Sequence, residues 1–385
     1  MQGLVENTSR ILKSLFPDGA SLHEPCFGGN EWKYVKECID TVWVSSVGRY
    51  VDRFEADLAS FTGTKRAVVT VNGTAALFMC LKLAGVKNDD EVLMPALTFV
   101  ATANAAMQAG AHPHFVDCDE RSLGVDPQKL EKYLEEITQK RNGACVNKNS
   151  GRRIAALIVM HAFGHPSDMD ALAEVSKKYG LVLIEDAAES LGSYLNGRHT
   201  GQWGSFAALS FNGNKTVTTG GGGAILTNDE AAARLAKHLT TTAKEPHPWR
   251  YFHDQVGYNH RMPNINAALG CAQLEQLPSF LEKKRKLAHS YMEAFSGVSG
   301  LKVFSEPENA RSNYWLNLLM LGKADPALRD EILDSAHKHC ILCRPAWVLM
   351  NKLPMFKDCQ KMDLSCSENL EGRLVCLPSS AFLSK

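Results

Sequence analysis

The sequence has no apolar run long enough to cross a membrane as a helix. Its most apolar stretches, residues 155–160 and 181–184, are short and are bounded by turn-forming or charged residues. The N-terminus also lacks the basic start and long apolar segment that are typical of a signal peptide. We therefore expect a soluble, cytoplasmic protein without a membrane partner.

The sequence also has no excess of charge of either sign. Its 42 lysines and arginines equal its 42 aspartates and glutamates, so the formal net charge is zero. A balanced chain has no bulk electrostatic attraction to nucleic acid or to anionic membranes, although a local basic groove remains compatible with it. We therefore expect no nucleic-acid partner.

A regular disulfide framework is missing too. The 11 cysteines are odd in number and scattered, which in a chain of 385 residues indicates reduced thiols. One cluster, His337, His339, Cys340 and Cys343, has the ligand types of a zinc site. A structural zinc usually needs a second Cys or His pair at matching spacing, and the sequence has none. We expect no metal, and interpret the cluster as a helix end that runs into a buried strand.

What the sequence does contain is an alternation of short apolar runs with helical stretches, which predicts βαβ units. The predicted strands cover residues 68–71, 91–94, 114–116, 154–160 and 181–184, and helices such as 75–83 and 169–178 lie between them. This pattern indicates an α/β fold with a mainly parallel central sheet and helices on both faces. Ligands of such sheets bind at the carboxyl ends of the strands.

The length of the chain allows a large core and a second, smaller domain. We expect a large domain over residues 1–245, an active-site or interface loop over 246–264, and a small α+β domain over 265–385. Residues 136–153 are polar and predict an excursion such as a hairpin, whereas 265–277 and 279–295 predict two long helices.

Two strand ends carry residues that suit a cofactor. Asn72-Gly73-Thr74 is a strand-to-helix turn, and the free N–H groups of a helix N-terminus suit a phosphate; the alternative is an N-cap without a ligand. Asp186 directly follows a predicted buried strand, where a carboxylate needs a cationic partner such as a protonated pyridine nitrogen. The alternatives for Asp186 are a helix N-cap or a metal ligand.

Two further features extend this pattern. Lys215 follows Ser210 by five residues and precedes four glycines, Gly220 to Gly223, that permit unusual backbone conformations near a ligand. A buried lysine can act as a Schiff-base nucleophile. A flexible surface loop is the alternative, but a strand resumes at once. Phe99, after another strand, could stack on a planar ring or belong to the core.

Each feature alone is weak, but their order along the chain is specific. A phosphate turn, an aromatic residue, an aspartate after a strand, and a serine and lysine before a glycine-rich strand form the layout of fold-type I pyridoxal phosphate (PLP) enzymes. The chain resembles the DegT/DnrJ/EryC1/StrS sugar aminotransferases over its whole length, and within them the LegC-type nucleotide-sugar 4-aminotransferases. The motifs that carry this resemblance are Trp43-Val44-Ser45-Ser46-Val47-Gly48, Glu185-Asp186-Ala187-Ala188-Glu189-Ser190, Ser210-Phe211-Asn212-Gly213-Asn214-Lys215, Thr240-Thr241-Thr242-Ala243-Lys244, Val256-Gly257-Tyr258-Asn259-His260-Arg261-Met262-Pro263-Asn264-Ile265-Asn266-Ala267-Ala268 and Ser312-Asn313-Tyr314-Trp315-Leu316-Asn317.

The resemblance implies a role for each matching residue. Lys215 would form the Schiff base with PLP, and Asp186 would pair with the pyridine nitrogen. Phe99 would stack on the ring, and Glu189 would face the ring hydroxyl, where many relatives have Gln or His. The phosphate would be held by Gly73, Thr74 and Ser210 and, in the neighbouring subunit's site of a homodimer, by Asn259. Arg261 would lie near the same site; further candidate substrate contacts are His161, His165, Lys244, His247, Trp249 and Tyr314.

The implied reaction transfers an amino group from L-glutamate to C4 of a nucleotide-linked 4-keto-6-deoxy sugar. The preferred substrate is UDP-2-acetamido-4-keto-2,4,6-trideoxyglucose, as in bacillosamine or legionaminic acid precursor synthesis, with GDP- and dTDP-linked sugars as alternatives. A related sugar dehydratase would have His instead of Lys215, and a non-catalytic regulator would have lost Lys215 or Asp186. A lyase or decarboxylase of the same fold stays open.

Overall fold

A computed structural model describes residues 2–384 of the chain. Eleven α-helices lie within these residues, and the longest of them has 31 residues. Their bounds are α1 Gln2–Leu15, α2 Glu31–Asp40, α3 Arg49–Thr62, α4 Gly73–Leu83, α5 Val100–Gln108, α6 Pro127–Ile137, α7 Met169–Tyr179, α8 Glu230–Thr240, α9 Asn264–Ala294, α10 Pro326–His337 and α11 Ser365–Glu371.

The same residues form seventeen strands, which are grouped into one large and three small sheets. Their bounds are β1 Arg66–Thr70, β2 Glu91–Pro95, β3 His112–Val116, β4 Thr138–Arg141, β5 Ala144–Asn147, β6 Ile154–Met160, β7 Val182–Asp186, β8 Tyr194–Leu195, β9 Arg198–His199, β10 Phe206–Ser210, β11 Gly223–Thr227, β12 Leu301–Val303, β13 Ala310–Arg311, β14 Asn317–Leu321, β15 Arg344–Pro345, β16 Gln360–Lys361 and β17 Leu374–Leu377.

The large sheet has the strand order β1-β11-β10-β7-β6-β2-β3-β16. The strands from β10 to β16 pair in parallel, and β11 runs antiparallel to both β10 and β1. The predicted mainly parallel sheet is confirmed. The edge strand β16 comes from the C-terminal part of the chain, which the sequence pattern did not predict.

Helices cover both faces of this sheet because its strands alternate their apolar side chains between the faces. Val68 packs with α4, α5 and α8 on one face, whereas its neighbours Ala67 and Val69 pack with α3 and α9 on the other. On that second face α6 and α7 cover β2, β3, β6 and β7. The α/β class with helices on both faces is confirmed.

A second, antiparallel sheet of order β12-β14-β17-β15 lies in the C-terminal part of the chain. Its apolar residues pack with α10, with the end of α9 and with α1 from the N-terminus. The smaller α+β unit is therefore present, while the domain bounds 1–245, 246–264 and 265–385 stay a prediction. Residues 138–147 form the predicted hairpin, as β4 and β5.

The prediction of two helices over 265–277 and 279–295 is wrong, because α9 continues through Pro278. A proline inside a helix costs about 3 kcal/mol, since it lacks an N–H and its ring crowds the preceding turn. The apolar side chains of Ala268, Cys271, Leu274 and Leu277 are buried with α2 and α3, and this packing offsets the cost.

Within residues 2–384 no helix is long and apolar enough to span a membrane. The same residues contain no group of three or more His, Cys, Asp or Glu side chains that could hold a metal ion. Of the cluster considered for zinc, Cys343 is buried in the core and His337 Nε2 lies 2.7 Å from the Cys343 carbonyl oxygen.

Helix α9 also carries a fully buried lysine. Lys284 Nζ lies 2.9 Å from His23 Nε2 and donates to the Trp315 carbonyl at 3.2 Å and to the Ser379 carbonyl at 2.5 Å. None of these three partners is a carboxylate, and burial lowers the pKa of Lys284 from 10.5 to about 7. The lysine thus ties the N-terminal segment and two C-terminal segments together, with hydrogen bonds instead of an ion pair.

Lys284 should make the stability of the fold depend on pH. The unfolded chain binds this proton more tightly than the folded one, so the free energy of unfolding should rise as pH rises above 7. We expect a rise of about 2 kcal/mol between pH 7 and pH 9 in the wild type, and a clearly smaller rise in Lys284→Met. Urea unfolding at each pH measures it. Lys286→Met, on an exposed position of the same helix, is the control and should keep the wild-type slope.

Candidate active site

A cavity of about 570 Å³ lies at the carboxyl ends of the large sheet's strands, between that sheet and the C-terminal one. Seven of the residues that the sequence singled out line it. They are Gly73, Thr74, Phe99, Asp186, Glu189, Ser210 and Lys215. The strand ends that carry them are brought together because parallel strands present their carboxyl ends at one edge.

The turn between β1 and α4 forms one end of the cavity. The Asn72 side chain accepts a hydrogen bond from Ala75 N at 2.8 Å and so caps α4, which leaves the earlier N–H groups of the helix free of that cap. A Cβ atom on Gly73 would lie 2.9 Å from the Ser210 Cβ, and one on Gly223 would lie 2.5 Å from the Asn72 carbonyl carbon. Glycine at both positions thus permits the close approach that builds an anion-binding turn.

Asp186 ends β7 and is buried at the cavity. Its Oδ2 accepts a 2.7 Å hydrogen bond from Thr102 Oγ1, and its Oδ1 accepts one from Ala188 N at 3.2 Å. Burial raises the pKa of Asp186, and these hydrogen bonds together with the charge of Lys215 act against that rise. Among residues 2–384 no cation forms an ion pair with this carboxylate, which leaves room for a cationic ligand group.

Lys215 lies beside a second buried acid. Its Nζ is 3.1 Å from Glu189 Oε1 and 3.9 Å from the centre of the Trp315 ring, whose indole N–H donates to the Asn214 carbonyl at 2.8 Å. Glu189 Oε2 accepts a hydrogen bond from Phe163 N at 2.8 Å. Burial raises the pKa of Glu189 to about 7, although the charge of Lys215 opposes this. Glu189 can therefore hold or release a proton near neutral pH.

Phe99 is half-exposed at the N-terminus of α5 and lines the cavity with Thr74 and Ala101. Its ring is 49% exposed, so it is not a core residue, and it is free to stack on a planar group.

The residues of the segment before α9 do not line the cavity. Lys244 lies 4.0 Å above the Tyr251 ring, and His247 Nδ1 accepts hydrogen bonds from Trp249 N and Arg250 N. Two further residues of this segment that the sequence predicted near the site, Asn259 and Arg261, also lie outside the cavity lining. Trp249 is 80% exposed, so its side chain points outward.

Tyr314, His161 and His165 are buried away from the cavity lining. Tyr314 packs against His165 at 5.3 Å between ring centres, and the His161 Nε2 lies 3.0 Å from the buried Glu185 Oε2. Neither ring nitrogen of His165 has a hydrogen-bond partner, and burial lowers its pKa to about 3. These three positions thus support the fold around the site.

The structure adds lining residues that sequence reasoning did not single out. They come from segments far apart along the chain, and they are Leu22, Met160, Phe163, Trp315, Arg344, Pro345, Trp347 and Cys376. Trp315 had a signal in the sequence, as did Leu316, which also lines the cavity, because both lie in a motif that carries the family resemblance.

These residues fit PLP. The turn at Gly73 and Thr74 suits its phosphate, and Lys215 can bind its aldehyde carbon. The buried Asp186 has no ion-pair partner among residues 2–384, and the pyridinium nitrogen of PLP would be a suitable one. The fold and the site together define a PLP-dependent aminotransferase.

Comparison with known proteins gives the family. A model of the DegT/DnrJ/EryC1/StrS aminotransferase family matches residues 25–385. GDP-perosamine synthase of Vibrio cholerae is 34% identical over 363 residues, which cover 93% of each protein. That of Caulobacter vibrioides is 35% identical over 368 residues, covering 95% of this chain and 94% of the relative. The chain belongs to the DegT/DnrJ/EryC1/StrS aminotransferase family.

A solved structure shows the same architecture. The aminotransferase TlmJ from Streptoalloteichus hindustanus is 26% identical and superposes with a TM-score of 0.84, covering 94% of this chain and 93% of that one. The similarity therefore includes the C-terminal unit as well as the large sheet.

Proposed function

We propose that the protein moves an amino group from L-glutamate to C4 of a nucleotide-linked 4-keto-6-deoxy sugar, as the LegC-type enzymes do. The observation that carries this proposal is the cavity in which Lys215, Glu189 and Asp186 meet the phosphate turn. The GDP-perosamine synthases among its relatives support a sugar nucleotide as the amino acceptor. A cytoplasmic location stays a prediction.

The chain's own residues divide the work between charge and proton transfer. When bound, PLP supplies a ring that stabilises negative charge on the carbon that carries the amino group. Asp186 keeps a positive charge at the ring nitrogen favourable, because a buried carboxylate is stabilised by a cation. The Lys215 amine moves the proton to and from the reacting carbon, and Glu189, at 3.1 Å, holds that amine in place.

The far wall of the cavity suits a sugar with apolar substituents. The Trp347 ring stacks on Phe163 at 4.4 Å between ring centres and 5° between planes, and Trp315 and Leu22 extend this apolar wall. A methyl group at C6 and an acetamido methyl group would bury apolar area there. We keep UDP-2-acetamido-4-keto-2,4,6-trideoxyglucose as the first choice of substrate, and the names of the relatives make a GDP-linked sugar the second.

We also propose a homodimer with shared active sites. Val42, Trp43 and Val47 are exposed by 83%, 57% and 60%, and Trp249 by 80%, which is more apolar surface than a monomer usually leaves to water. Asn264 binds this first segment to the start of α9 through the Trp43 carbonyl at 2.7 Å. A partner that covers both segments would bring Asn259 and Arg261 towards its own cavity.

The absorption spectrum of the PLP-loaded protein tests the reaction. L-glutamate should bleach the visible band of the lysine-bound cofactor, and the UDP-linked 4-keto sugar should restore it. If a GDP-linked 4-keto sugar restores the band and the UDP-linked sugar does not, the choice of nucleotide is wrong and the aminotransferase assignment stands. A band that L-glutamate leaves unchanged contradicts the proposed donor.

A further inference from the structure

Arg344 places a positive charge at the mouth of the active-site cavity. It is the first residue of β15 and pairs with Cys376 on the adjacent antiparallel strand β17. Residues directly opposite in an antiparallel pair point to the same face, and both side chains line the cavity. Burial raises the pKa of the Cys376 thiol, and the charge of the nearby Glu189 carboxylate adds to this rise. Arg344 therefore lies on the strand next to Cys376, the residue that is close to Glu189, the partner of Lys215.

The guanidinium of Arg344 is only partly used within the protein. Its Nη1 lies 3.2 Å from the Cys343 carbonyl oxygen and 3.1 Å from His337 Nε2. No carboxylate among residues 2–384 lies within ion-pair distance of it, and its Nε and Nη2 atoms have no partner in that range. The edge formed by Nε and Nη2 is thus free to bind a carboxylate with two parallel hydrogen bonds.

The exposure of the lining residues indicates which part of a substrate meets this edge. The Lys215 and Glu189 side chains are 12% and 1% exposed, so the reacting carbon belongs at the closed end. Arg344 is exposed, so it faces whatever extends from there towards the mouth. In an α-amino acid that part is the side chain. A cation at the mouth of the cavity favours a side chain that ends in an acid.

We propose that Arg344 binds the side-chain carboxylate of the amino donor, and thereby selects a dicarboxylic amino acid. This inference rests on the proposed aminotransferase function and names the group that chooses its donor. A comparison of L-glutamate with L-glutamine tests this role, because the two amino acids have the same shape and differ in the charge at the end of the side chain.

The first test measures single-turnover bleaching of the cofactor band at several donor concentrations. Arg344→Gln should lower kcat/KM for L-glutamate about 10- to 100-fold, the loss expected for a hydrogen bond to a charged group, and leave L-glutamine nearly unchanged. Arg344→Lys should recover part of the loss, because it keeps the charge without the paired geometry. Arg234→Gln, which removes an exposed arginine outside this cavity, is the matched control.

Two results of this test overturn the inference. An equal loss for L-glutamate and L-glutamine would mean that Arg344 acts on a group common to both donors. A normal reaction of Arg344→Gln with L-glutamate, combined with a raised KM for the sugar nucleotide, would assign the arginine to the diphosphate of the acceptor.

A binding measurement keeps the inference separate from the proposed function. Glutarate has two carboxylates and no amine, so calorimetry can follow its binding to the PLP-loaded protein without any reaction. Glutarate should bind Arg344→Gln about 10-fold more weakly than the wild type or Arg234→Gln, whereas butyrate should bind all three alike. Equal affinities for glutarate overturn the inference. If glutarate depends on Arg344 but L-glutamate does not react, the dicarboxylate subsite stands and the proposed donor fails.

Discussion

Lys215→Ala is expected to abolish transamination, with a loss in kcat of about 10⁴-fold. In the proposed reaction the substitution removes the amine that binds the cofactor and moves the proton, and no other lysine of residues 2–384 lines the cavity to replace it. Glu189 at 3.1 Å and the Trp315 ring at 3.9 Å hold the Lys215 amine in the cavity. Steady-state rates with L-glutamate and the 4-keto sugar measure the loss.

Borohydride trapping gives a readout of this lysine that does not depend on the sugar. Reduction of the PLP-loaded wild type should attach the cofactor to the peptide that contains Lys215, and mass spectrometry should find no such adduct in Lys215→Ala. Lys286→Ala, on the exposed side of α9, should label and react like the wild type. An adduct on another lysine of the wild type would contradict the assignment.

The same variant tests the shared active site. In a homodimer of the proposed kind, co-expressed Lys215→Ala and Asn259→Ala chains form mixed dimers in which one site has both Lys215 and the partner's Asn259. Activity in the mixed dimer above that of either variant alone is therefore expected. If Asn259→Ala is fully active by itself, each protomer has a complete site and the proposal of shared sites is wrong.

Asp186→Asn is expected to lower kcat by about 10³-fold and to weaken cofactor binding. The amide keeps the shape and the hydrogen bond with Thr102 but removes the charge that stabilises a pyridinium nitrogen. Losing one partner of a buried charge pair costs about 3–5 kcal/mol, which corresponds to the expected factor. Because Asp186 is buried, water cannot replace the lost charge.

Rapid-quench kinetics and a titration with PLP measure the two effects of Asp186→Asn. Asp229→Asn is the control, because it makes the same change of aspartate to asparagine at the exposed N-cap of α8. This variant should keep wild-type kinetics. A variant of Asp186 that binds PLP normally and turns over within a few-fold of the wild type would exclude the pairing with the ring nitrogen.

The large sheet and the catalytic end of its cavity could be predicted because their signals are local. Thr74, Asp186 and Lys215 each follow a strand closely, and parallel strands deliver such residues to one edge whatever the details of packing. Helix α9 was mispredicted for the opposite reason. The local signal of Pro278 is that of a helix break, and only the burial of the neighbouring turns against α2 and α3 overcomes it.

The opposite wall of the cavity depends on how the C-terminal sheet lies against the large one. Sequence reasoning selected Tyr314, but Tyr314 has a left-handed φ of 47° and is buried against His165, while the next residue, Trp315, faces Lys215. Arg344 and Trp347 have no motif that marks them as site residues, since they reach the cavity only through the pairing of β15 with β17.

The sequence by itself therefore determined the class of fold, the cofactor and the residues predicted to hold it, because these follow from strand ends and turns within a few residues of each other. The tertiary structure decided which side chains face the substrate and which carry buried charge. Those properties depend on interactions between segments far apart along the chain, such as His23 with Lys284 and Glu189 with Cys376, and no local pattern encodes them.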